Sequence, residues 1–93
     1  MNLWNISQAN GKDLIINSIT YLFYINNEDM LPIQYICMNL NFYIRNSNIL
    51  LCYNNKKRNL NNYIKKIYGG FIKFINNEMK TLFKIVDDKL VII

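Results

Sequence analysis

Lys56, Lys57, Arg58, Lys65 and Lys66 place five of the chain's eleven basic residues within thirteen positions, in the stretch NNKKRNLNNYIKKIYGG. Cationic groups at that density either solvate the outer face of a helix or hold phosphate. Arg45 and Tyr43 lie upstream, and Lys73 follows closely. Positive charge interleaved with aromatic rings and side-chain amides is the chemistry that binds single-stranded or structured RNA, through phosphate pairing and base stacking. The distribution of charge favours the phosphate reading. Residues 1–44 carry Lys12 against Asp13, Glu28 and Asp29, a net −2. Residues 45–93 carry ten Lys or Arg against Glu78, Asp87 and Asp88, a net +7. That asymmetry points to a polyanionic partner for the C-terminal half, nucleic acid or an anionic membrane surface; among nucleic acids the interleaved rings and amides favour RNA over DNA.

Other chemistry is poorly supplied. The chain has no histidine, so the commonest general base and metal ligand is missing. Cys37 and Cys52 stand alone, without the spacing of a zinc site. The acidic pairs Glu28-Asp29 and Asp87-Asp88 fall in expected turns, where carboxylates usually cap or solvate. Gly69-Gly70 follows a helical stretch and lacks the GxxxxGK[ST] frame of a phosphate loop. The expectation is a non-enzyme with no cofactor and no metal.

The elements that must position the basic residues are read from hydrophobic period. Asn10 can cap a helix whose inner face is Ile15, Ile16, Ile19, Leu22 and Phe23, with Asn17, Thr20, Tyr21 and Tyr24 on its flanks. The sequence NNED and then Pro32 end it. Residues 34–45 alternate with period two, which predicts a strand; 46–48 predict a turn, and ILLCY (49–53) the returning strand. Leu60, Tyr63, Ile64, Ile67 and Tyr68 define a second helix that stops at Gly69-Gly70. FIKFI (71–75), the turn NNEM (76–79) and TLFKIV (81–86) predict a second hairpin, and KLVII (89–93) an edge strand or the first turn of a helix. The result is an α+β fold: a small two-layer domain, 1–93, in the order helix-strand-strand-helix-strand-strand, with an antiparallel sheet packed on helices.

With 17 Asn, 16 Ile and 7 Tyr, the chain has the composition that an AT-rich genome encodes. Both cysteines sit among apolar residues, which predicts reduced thiols and an intracellular reducing compartment. No signal peptide is visible, so secretion is not expected. LIINSITYLFYI is too short and too polar to span a bilayer. Synthesis within an organelle, and a place in its matrix, fits these features.

The expected order of elements and the stretch NLNNYIKKIYGGFIKFINNEMKTLFKIVDDKLVII (59–93) resemble the second part of a LAGLIDADG homing-endonuclease half-domain. The resemblance implies that YLFYINNED (21–29) stands where that family has its signature helix. Phe23 then occupies the place of the close-packing glycine, Asn26 and Asn27 replace an acid and a small residue, and Glu28 takes the position of the catalytic acid. Those departures imply a non-cutting relative retained for nucleic-acid binding.

Taken with the charge, size and composition, the expectation is a non-catalytic RNA-binding structural component of an organellar (mitochondrial-type) ribosome or similar RNA particle, working among other proteins. The alternative is a small viral or mobile-element protein that acts by protein–protein binding, for instance by inhibiting a host nucleic-acid-targeting complex. A third is an accessory subunit of a membrane assembly.

Overall fold

The first long element is a helix because its apolar residues recur at helical spacing. The structure, a computed structural model, describes the backbone of residues 2–5, 8–47, 49–53, 56–57 and 59–93, and the side chains of 11–47 and 59–93. Strand β1 (Asn2–Asn5) precedes helix α1 (Gln8–Asn26). Leu14, Ile15, Ile19, Leu22 and Phe23 form the buried face of α1, and Ile16 is half-buried beside them. Burial of such side chains contributes roughly 1.5–3 kcal/mol each before chain entropy is counted. Ser18, buried on the same face, satisfies its hydroxyl by donating to the Leu14 carbonyl at 2.8 Å. Asn27 ends the helix in a left-handed conformation, φ 52°. The helix begins at Gln8, so Asn10 lies inside its first turn and is not its cap.

After α1 come β2 (Met30–Pro32), α2 (Ile33–Asn39), α3 (Phe42–Asn46), β3 (Ile49–Tyr53) and β4 (Lys56–Lys57). The strand expected over 34–45 is therefore two short helices. The buried residues of this stretch are Ile36, Leu40 and Ile44, spaced by four. A spacing of four satisfies a strand's period of two and also returns to one face of a helix. Met38 decides between them: a strand would bury it with its even-numbered neighbours, yet it is 74% exposed. β3 does form, but its partners are β1, in parallel register from Asn2↔Ile49 to Asn5↔Cys52, and β4, antiparallel.

The chain closes with α4 (Leu60–Tyr68), α5 (Phe71–Glu78), β5 (Phe83–Val86) and β6 (Lys89–Ile92). α4 buries Leu60, Tyr63 and Ile64, with Ile67 and Tyr68 half-buried, which is the face expected from sequence. FIKFI, expected as a strand, opens helix α5, where Phe74, Ile75 and the following Met79 are buried. Residues 76–78, expected in a turn, continue that helix. Asp87 and Asp88, at φ 49° and 62°, make the tight left-handed turn that joins β5 to β6. β6 is a strand, as one of the two readings had it, but it is central and not at the edge: the sheet order is β2-β6-β5, all antiparallel. Leu31, Phe83 and Leu90 turn inward from this sheet onto the helical core, and the Phe83 ring stacks on Phe23 at 5.9 Å. The class is thus α+β, with an antiparallel sheet covered by helices; the order of elements is richer in helix than expected.

Gly11, buried in α1, is where that helix meets α4. A Cβ at this position would lie 2.6 and 2.7 Å from Cζ and Cε1 of Tyr63 and would also strike its hydroxyl. Tyr63 is 1% exposed, so its ring has no room to withdraw. Gly→Ala within a helix ordinarily gains up to about 1 kcal/mol. Gly11→Ala is instead expected to destabilise by roughly 1–3 kcal/mol, because overpacking outweighs propensity; the shift in the urea unfolding midpoint measures it.

Candidate nucleic-acid interface

The basic helix α4 is held by asparagine side chains. Asn59 caps it, its side-chain oxygen accepting from the Asn62 backbone N–H at 2.8 Å. The Leu60 N–H donates to Asn41 Oδ1 at 2.7 Å, so a residue between α2 and α3 satisfies a second orphan donor of α4. Asn41 Nδ2 donates to Asn61 Oδ1, and Asn61 Nδ2 donates to the Cys37 carbonyl, both at 2.8 Å. Replacing Asn41 with Ala removes the partner of the Leu60 N–H and of Asn61 Oδ1 together. It is expected to cost roughly 1–3 kcal/mol in an equilibrium unfolding experiment, whereas Asn62→Ala, on the exposed side of α4, should be close to neutral.

At its other end α4 stops at Gly69, φ 84°, whose N–H donates to the Lys65 carbonyl at 3.1 Å. Gly70, φ 133°, then turns the chain directly into α5. Lys65 and Lys66 are exposed in the last turn of α4, where cations also suit the helix dipole. The Lys73 side chain folds back over the elbow: a Cβ on Gly69 would lie 3.0 Å from its Cδ and 3.6 Å from its Nζ. Lys65 borders the same elbow. It lines a concavity of about 250 Å³ with Leu40, Asn61, Ile64, Gly69, Gly70 and Phe71. Lys65 and Lys73, expected on a helix and a strand, are thus brought together by two consecutive helices.

The remaining expected residues lie elsewhere. Arg45 is exposed in the last turn of α3. Lys56 and Lys57, expected in a loop entering α4, form the short strand β4 opposite Tyr53 and Cys52. Their side chains, that of Tyr53 and the whole of Arg58 lie outside the described residues. Tyr43 is half-buried on α3, packed against Tyr21 of α1 with ring centroids 5.3 Å apart. It lines a different concavity, about 400 Å³ and wide open, together with Asn17, Thr20, Tyr21 and Tyr24. The two concavities share no lining residue. Sequence reasoning places Tyr21 and Tyr24 only as flanks of α1. The signal for the groove is present all the same, since 17, 20, 21 and 24 repeat the helical spacing of the buried face on another side of the helix.

Acidic chemistry stays where the sequence placed it, in turns: Glu28 and Asp29 after α1, Asp87 and Asp88 between β5 and β6. Among the described residues no group of three or more His, Cys, Asp or Glu could hold a metal ion. No helix among them is long and apolar enough to cross a membrane. Cys37 is a half-buried free thiol, and burial pushes its pKa up from 9.0. Burial, and then the charge of Glu78, push the Tyr68 hydroxyl up from 10.0. Both groups hold their protons more tightly in the folded state. The stability they contribute is complete below about pH 9 and is lost as pH rises through their folded values. The urea midpoint should therefore fall as pH rises above about 9. With Cys52→Ser leaving one thiol, alkylation near pH 8.5 should be slower in the native protein than in urea.

The chain matches no family model, no curated protein and no solved structure.

Proposed function

We propose that the protein is a non-catalytic nucleic-acid-binding module, an RNA-binding structural component of an organellar, mitochondrial-type ribosome or a comparable RNA particle. The observation that carries this reading is the state of its cations. Arg45, Lys65, Lys73, Lys80, Lys84 and Lys89 are all exposed, and none makes an ion pair among the described residues. Lys12, from the acidic half of the chain, is paired with Glu78 at 3.5 Å. Cations left without counter-charges on one half of a small protein are available to phosphate, and their release of counterions would drive binding. Lys65 and Lys73 at the Gly69-Gly70 elbow are the leading phosphate ligands, with Lys66 beside them.

Contacts with other proteins of the particle are supported by the outer face of the β2-β6-β5 sheet. There Met30, half-buried Val91 and Lys84 form one row across the strands, and Pro32, Lys89 and Val86 the next on the same face. The free thiol of Cys37 suits a reducing compartment, the organelle matrix in this reading.

The test is a salt titration of binding to a single-stranded oligoribonucleotide, followed by fluorescence anisotropy. Lys65→Gln combined with Lys73→Gln should weaken binding and reduce the slope of log K against log salt by about 1.4, some 0.7 for each phosphate that is no longer neutralised. An unchanged affinity and slope would remove the elbow from the interface, and absence of binding by the wild-type protein would sink the function.

A further inference from the structure

We infer that the open groove between α1 and α3 is a stacking site for an unpaired base of a single strand, distinct from the lysine elbow. This inference rests on the nucleic-acid reading above and adds a second kind of contact to it. Tyr24 is 81% exposed, so the face of its ring is open to a planar ligand. The neighbouring rings are braced. Tyr21 packs on Tyr43 at 5.3 Å and edge-on against Phe42 at 6.0 Å, and its hydroxyl accepts from Asn46 Nδ2 at 3.3 Å. A fixed tyrosine pair beside a free tyrosine forms a platform that loses little side-chain freedom when a planar ligand arrives.

The groove also carries an edge that can read polar atoms. Asn17 is exposed on its rim and offers both a donor and an acceptor, whereas the Thr20 hydroxyl is spent on the Ile16 carbonyl at 2.9 Å. Rings beside a side-chain amide match a nucleobase, which has two apolar faces and a polar edge. A lipid chain offers nothing that this amide can bond.

Charge sets the direction of the strand. No residue lining the groove is charged. On the adjoining side, beyond Thr20 and Tyr24, a neighbouring concavity holds Glu28 and Asp29. Of the basic residues on α1 and α3, Lys12 is paired with Glu78, and Arg45 makes no ion pair among the described residues. The phosphates flanking a stacked base therefore run away from Glu28 and Asp29, with Arg45 as their counter-charge.

The experiment compares two ligands of equal length and charge: an oligoadenylate ten-mer and an abasic oligomer with the same backbone. The wild-type protein should prefer the oligoadenylate by about tenfold, the gain from a single stacked base. Tyr24→Ala should abolish that preference and leave the abasic affinity unchanged, while Tyr24→Phe retains it. Lys65→Gln with Lys73→Gln should weaken both ligands alike. If the lysine variant weakens both ligands but Tyr24→Ala leaves the preference intact, the groove is not a base site and the phosphate reading stands. If the wild-type protein binds neither ligand, both readings fall.

Discussion

The buried face of α1 is the constraint on which the rest of the molecule depends. Five large apolar side chains on one helix cannot be left in water, and each neighbouring element is fixed by covering or touching this helix. Tyr63 of α4 closes over Gly11. Asn26 reaches the Tyr35 hydroxyl of α2 at 3.0 Å, and Tyr21 engages Phe42 and Tyr43 of α3. Lys12 pairs with Glu78 of α5, and Phe23 stacks on Phe83 of β5. One helix thus sets the place of four others and of a sheet. The uncovered part of its surface, with Asn17, Thr20 and Tyr24, becomes one wall of a groove.

The chain's 17 asparagines are put to structural use by the fold. Asn26 and Asn39 donate back to carbonyls one turn earlier in their own helices, at 2.7 and 2.8 Å. Asn41, Asn59 and Asn61 together pin the start of α4. An amide offers both a donor and an acceptor and carries no charge, so it can be half-buried at a helix junction without the desolvation penalty of an ion. The helix that carries Lys65 and Lys66 is held rigidly enough to present them.

The parts of the fold that were legible are those where one period excludes the other. α1 and α4 have apolar residues three and four apart, which no strand accommodates. Over 34–45 the buried residues Ile36, Leu40 and Ile44 satisfy both periods, and the polar residues between them favoured the strand. FIKFI failed for a different reason: five residues are too few to separate the two patterns, and Met79, which completes the helical stripe, lies beyond them. The site inherits these errors unequally. Lys65 was legible because its helix was. The aromatic groove was not, because its second wall is α3, and a strand over 34–45 leaves Tyr43 nowhere near Tyr21.

The central place of β6 has a consequence in time. β2 emerges during synthesis well before residues 89–92, and its only sheet partner among the described residues is β6. β5 likewise pairs with nothing else in that sheet. While the chain is still being made, α1 and its neighbours can gather, but Leu31 has no sheet to turn inward from. The second sheet can close only when that late segment lies between β2 and β5. Until β6 is made, Leu31 and Phe83 lack the central strand, with its Leu90, that joins their elements into one inner face.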